Sequence, residues 1–142
     1  MNRIPFLRLV AVLVLLLGVL SHATAMTVSD FISYKAMLAS ANDPTSPLTP
    51  EERAKIHSIE KMSNLNLGGV IEGAISLSDL STLKGHSKII CYPSGKSLDV
   101  KKFSDDLADY YDRFERSKRA VLDPQRLGYF ATAFLVKSYP CQ

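Results

Sequence analysis

SLDVKKFSDDLADYYDRFER, residues 97–116, is the stretch whose reading decides the fold. Val100, Phe103, Leu107, Tyr110, Tyr111 and Phe114 fall at i, i+3, i+7, i+10, i+11 and i+14. On a helix of 3.6 residues per turn these positions form one apolar stripe. A strand would scatter them over both faces, because its side chains alternate with a period of two. Ser97 is expected to cap this helix, which should run from about Leu98 to Arg116. Asp105, Asp109 and Asp112 share another face and are interleaved with Lys101, Lys102, Arg113 and Arg116. That mixture reads as a solvated surface rather than a cation site.

Downstream, Ser117 to Leu122 reads as a basic connector, and Asp123-Pro124 as the cap and first-turn proline of a last helix. Leu127, Phe130, Ala131, Phe134 and Leu135 give that helix its apolar face, and Pro140 ends it. Upstream, residues 86–96 form a loop, and Gly85 is the expected stop of a long helix. That helix starts at Thr49-Pro50-Glu51-Glu52, where Thr49 and Glu52 make a capping box and Pro50 suits the first helical position. Ile59, Met62, Asn66, Gly69, Gly73, Leu77 and Leu80 read as its apolar stripe. Gly68, Gly69, Gly73 and Ala74 imply either close approach of another helix or partner chain, or a kink. A first helix capped by Thr27 or Ser29 carries Phe31, Tyr34 and Leu38 on one face, and Asn42 to Pro47 is a turn-rich linker. Ile89-Ile90-Cys91 could extend, but a lone strand has no partner. The expected fold class is all-α, a small helical bundle of about four or five helices with one disulfide.

The N-terminus reads as a cleavable signal peptide over residues 1–25. Arg3 and Arg8 provide a positive start, and Leu9 to Leu20 is an apolar run too short to span a bilayer. Ala23 and Ala25 then place a cleavage site after Ala25. No cysteine follows the run, which argues against a lipid anchor, and no stable membrane anchor is expected after cleavage. A retained anchor helix is the alternative that the short run and the Ala-x-Ala site disfavour. The mature domain, residues 26–142, is a single helical domain. The whole chain has 17 Lys+Arg against 14 Asp+Glu, and the leader holds two of the basic residues, leaving 15 against 14, a net +1. The charge balance therefore offers no argument for nucleic-acid binding.

Cys91 and Cys141 are the only cysteines. In an oxidising compartment an even pair in a small domain is most simply one disulfide, against the rival of two free thiols or an intermolecular bridge.

The chain lacks a catalytic constellation. Ser94-Gly95-Lys96-Ser97 resembles a phosphate loop only in part, because Ile90 stands where the pattern needs glycine. His57 and His86 stand at unrelated spacing, without the thiolate or ligand cluster that a Cys–His hydrolase or a zinc site requires. The reading is a binding protein, not an enzyme, with no metal and no cofactor. Its candidate surface is the loop 84–97 with Lys84, His86, Lys88, Tyr92, Ser94 and Lys96, which a neighbouring disulfide would rigidify. An ordinary inter-helix connection is the competing reading.

Three features carry a family resemblance: the glycine-bearing stretch Leu67-Gly68-Gly69-Val70-Ile71-Glu72-Gly73-Ala74, the segment Cys91-Tyr92-Pro93-Ser94-Gly95 leading to Ser97 and a helix, and the closing Ala133-Phe134-Leu135-Val136-Lys137-Ser138-Tyr139-Pro140-Cys141. Over residues 67–141 the chain resembles the Rap/Tai immunity proteins, which protect bacteria from amidase effectors of the type VI secretion system. It departs from the family at Asp112-Arg113-Phe114-Glu115, where a His-Pro pair is common. The resemblance implies a periplasmic protein of a Gram-negative bacterium whose partner is a cognate peptidoglycan amidase effector. It also implies occlusion of that enzyme's cleft, no catalysis by the chain itself, and a homodimer. The alternative from a different class is a periplasmic helical stress chaperone or scaffold without a cognate toxin.

Overall fold

The computed structural model describes residues 26–93 and 95–141. The expected leader, its cleavage after Ala25, and Ser94 lie outside them. Five helices occur among the described residues: α1 (Val28–Asn42), α2 (Pro50–Leu83), α3 (Val100–Asp112), α4 (Arg116–Leu122) and α5 (Leu127–Ser138). There is no sheet among these residues, only two isolated bridges, Thr27 with Arg126 and Ile90 with Pro140. The fold is all-α with one disulfide, Cys91–Cys141, whose Cα atoms lie 5.0 Å apart.

α1 begins where Thr27 and Asp30 cap each other's backbone in a capping box. These bonds hold the Asp30 carboxyl below the usual carboxylate range. The start of α1 is also tied to the start of α5, since Val28 N–H donates to Gln125 O (2.9 Å) and Leu127 N–H to Met26 O (2.9 Å). Val28, Phe31, Tyr34, Leu38 and Ala41 are buried, the helical spacing expected of a core face. In the following turn Arg53 donates to the carbonyls of Ala41, Asp43, Ser46 and Leu48, which fastens the linker to α2.

α2 starts at the Thr49–Glu52 capping box and runs 34 residues without a break. Its glycines do not interrupt it, because α1, α3 and α5 all pack along its length and tertiary contact outweighs propensity. The expected apolar stripe is a correction. Ser63, Leu67, Ile71 and Ser78 are the buried positions, whereas Met62, Leu77 and Leu80 are 63%, 69% and 54% exposed. A Cβ at Gly68 would meet Val100 Cγ2 at 3.4 Å, an ordinary contact, and around Gly69 and Gly73 the space is open, so no neighbouring helix of the chain demands these glycines. Gly85 ends the helix in the left-handed region at φ +79°, where glycine meets no steric penalty.

α3 is shorter than expected. Asp99, not Ser97, caps it through Lys102 N–H (2.9 Å), and it stops at Asp112 rather than Arg116. Arg119 closes that end by donating to the carbonyls of Asp112 and Phe114. The expected connector is the helix α4. The start of the last helix moves as well. Asp123 is the C-cap of α4, its carboxylate accepts from the Tyr111 hydroxyl (2.5 Å), and α5 begins four residues later behind Arg126. Tyr110 stacks on Phe134 at 4.9 Å and meets Phe114 edge-on at 4.9 Å, joining α3 to α5.

Burial first, with Glu60 and Asp105 adding to it, pushes the Tyr34 phenol up to about 12. Burial and then the bond to Asp123 push Tyr111 up to about 12. In the unfolded chain both ionise near pH ~10. The folded state therefore keeps protons that the unfolded state has lost, and their contribution is complete below pH ~10 and disappears as the pH rises through about 12. Circular dichroism across this range should show alkaline unfolding, and Tyr111→Phe should shift its midpoint to higher pH.

Candidate functional site

The segment between α2 and α3 is held at one end by a single serine. The Ser78 hydroxyl oxygen accepts from the N–H of Ile89 (3.0 Å) and of Ile90 (2.8 Å). Ser78 is 5% exposed and Ile90 2% exposed, so the bond to Ile90 replaces water where water cannot reach, while the bond to Ile89 is partly buried. Immediately afterwards Cys91 N–H donates to Tyr139 O (2.9 Å), Cys91 joins Cys141, and the Tyr92 ring meets Tyr139 edge-on at 4.9 Å. The middle of the loop is thus fixed to both the end of α2 and the chain's tail.

Removing the Ser78 hydroxyl should leave the two N–H groups without a partner. Ser78→Ala is expected to cost about 1–3 kcal/mol in denaturant unfolding. Faster hydrogen exchange should appear at Ile89 and Ile90 but not along α1.

The structure divides the expected binding residues into two groups. Lys84 is the C-cap of α2 and His86 N–H closes the turn on Ser81 O (3.1 Å), with both side chains exposed. Lys88 pairs with Asp79 at 2.6 Å, a partly exposed contact worth at most about 1 kcal/mol. Tyr92 and Lys96 lie further on, where they line a shallow cavity of about 360 Å³ with Glu72, Ile75 and Leu98. Burial pushes the Tyr92 phenol up from its ordinary value. Gly95, at φ +77°, turns the chain between Tyr92 and Lys96.

The other sequence candidates disperse. His57 sits in α2 beside Glu60 (3.2 Å), and about 40 Å of helix separates it from His86. Of the acidic face of α3, Asp105 pairs with Lys35 of α1 and Lys101, and Asp112 with Arg119, while Asp109 is exposed to solvent; beside them Asp106 pairs with Lys102. Burial raises the Asp105 carboxyl, but the hydrogen bonds and charges of Lys35 and Lys101 outweigh it and leave it below its usual value. Among the described residues no three His, Cys, Asp or Glu side chains gather as a metal site. No described helix is long and apolar enough to cross a membrane.

Two contributors were not legible in the sequence. Ser78 reads as an unremarkable mid-helix serine, and its only hint is a small polar residue one turn before a helix end that precedes Ile-Ile. Tyr139 reads as part of a terminal motif, and only the tertiary fold sets it on Tyr92.

Fold and site together define a small all-α, one-disulfide domain that presents a pinned polar loop. Comparison of the chain with protein families, with curated proteins and with solved structures finds no match.

Proposed function

We propose that the chain is an exported immunity protein of the Rap/Tai type, which binds a type VI secretion peptidoglycan amidase in the periplasm and blocks its active-site cleft. The observation that carries this reading is the loop 84–97. It offers Lys84, His86 and Lys96 exposed and Lys88 and Tyr92 half-buried, while Ser78 and the disulfide hold the backbone between them. A loop ordered before binding loses little entropy on docking, so more of its contact energy appears as affinity. Lys84, His86, Lys88, Tyr92 and Lys96 would supply polar and aromatic anchors in the cleft, and the peptide substrate would be excluded by volume. The chain itself contributes no chemistry in this mechanism.

The test is direct. The purified protein and a cell-wall amidase encoded beside it should co-elute, and peptidoglycan cleavage should stop at one equivalent. Tyr92→Ala together with Lys96→Ala should weaken inhibition without altering the helical spectrum. Separate elution at micromolar concentration would remove the reading for that partner.

A further inference from the structure

The start of α5 opens on a cavity to which the loop 84–97 contributes no residue. It measures about 970 Å³ and lies between the start of α1, the middle of α2 and the first turns of α5. Met26, Leu67, Val70 and Leu127 give it apolar walls. Leu67 and Leu127 belong to the core, so its floor is fixed by the packing of the helices. A few polar groups stand around that floor. A largely apolar cavity of this size with a small set of convergent polar groups is the usual form of a small-molecule site.

The polar groups are mainly uncommitted donors. α5 has no side-chain cap. Leu127 N–H donates to Met26 O (2.9 Å), but Gly128 N–H, which follows it, has no acceptor among the described residues. The Arg126 guanidinium lines the same cavity, exposed, with no ion pair or hydrogen bond among the described residues. Ser63 is 3% exposed, and its hydroxyl makes no hydrogen bond among them either. No fully enclosed side-chain polar atom of the described residues lacks a partner, so the Ser63 hydroxyl faces the cavity rather than packed protein. Two groups are already engaged. Thr132 Oγ1 donates to Gly128 O (2.8 Å), and Asp30 Oδ2 accepts from the N–H (3.1 Å) and hydroxyl (2.7 Å) of Thr27.

We propose that this cavity binds an apolar carboxylate, its carboxylate set at the start of α5 beside Gly128 N–H and Arg126, and its hydrocarbon on Leu67, Val70 and Leu127. A carboxylate there completes the missing cap, meets the positive end of the helix dipole and pairs the free guanidinium. The Ser63 hydroxyl supplies a further donor from the opposite wall. The apolar floor selects hydrocarbon, since burying it there removes it from water. A doubly charged phosphate suits the cavity less well, because Asp30 at the rim opposes a second negative charge. The same chemistry is offered by a fatty acyl chain and by the free C-terminus of a short apolar peptide.

The inference does not rest on the immunity reading, since its test needs no amidase. The oxidised protein, expressed from its full sequence, is titrated in a calorimeter with octanoate and with trileucine, each beside its uncharged counterpart, 1-octanol or the trileucine amide. At least one carboxylate should saturate at one equivalent, bind at least about tenfold more tightly than its counterpart, and shift the Gly128 amide resonance. Tighter binding of octanoate assigns the acyl source, and tighter binding of trileucine the peptide source. Arg126→Gln should remove the preference for the carboxylate and leave the helical spectrum unchanged, because the Arg126 side chain is exposed and bonds to nothing in its own fold. Val70→Trp, which fills the cavity from a position 37% exposed, should abolish binding of charged and uncharged forms alike. The proposal is overturned if neither carboxylate binds at ~1 mM, if the uncharged counterparts bind as well, or if Arg126→Gln keeps the preference.

Discussion

Replacing Cys91 and Cys141 by serine is expected to lower stability by about 4 kcal/mol, within the 2–5 kcal/mol range of native bridges in small domains. The bridge spans 50 residues, so in the unfolded state it closes a long loop and removes much of that state's freedom. The closed segment contains all of α3, α4 and α5. Within the folded state the loss should concentrate where the tail meets the loop. The Ile90–Pro140 bridge and the Cys91 N–H to Tyr139 O bond would then be the remaining ties. Guanidinium unfolding of the double-serine variant against the oxidised parent measures the effect. An unchanged midpoint would mean that these ties alone set the loop. Under the proposed immunity function, amidase inhibition should fall more than the helical content does, because the loop loses order before the helices do.

Phe31→Ala is expected to cost about 3–5 kcal/mol. The Phe31 side chain is fully buried, among the largest side chains in the core to be so. Truncating it opens a cavity in the core shared by α1, α2, α3 and α5, where neighbours such as Leu107 and Leu135 also have no exposure and little room to relax. Val121→Ala in α4, where the side chain is 67% exposed, should stay within about 0.5 kcal/mol. The two unfolding midpoints, measured in the same buffer, test whether burial in the structure ranks these positions correctly.

The long periodic elements were legible because their information is local. The stripe of α3 from Val100 to Tyr111, the capping box at Thr49, a cap at Thr27 or Ser29, and the stop at Gly85 all depend on residues within a turn or two. Boundaries failed where a local signal was overruled from a distance. Asp123-Pro124 reads as a helix start, but the Tyr111 hydroxyl takes the Asp123 carboxylate, and the helix begins at Leu127 instead. The stretch after Phe114 reads as a connector, but Arg119 folds back on the end of α3 and a further helix forms. The stripe of α2 failed for a different reason. Two apolar faces lie side by side on that helix, and hydrophobicity alone does not say which one its own chain covers.

The amino-acid sequence determined the helical class, the number and approximate length of the main helices, and the cysteine pair, because helical periodicity, capping and cysteine count are written within short spans. Tertiary structure alone decided which face of α2 is interior, that Ser78 anchors Ile89 and Ile90, and that Tyr92 and Lys96 share a cavity apart from Lys84 and His86. Those outcomes depend on residues far apart in the chain competing for the same buried space and the same hydrogen bonds, and that competition is resolved only when the helices pack.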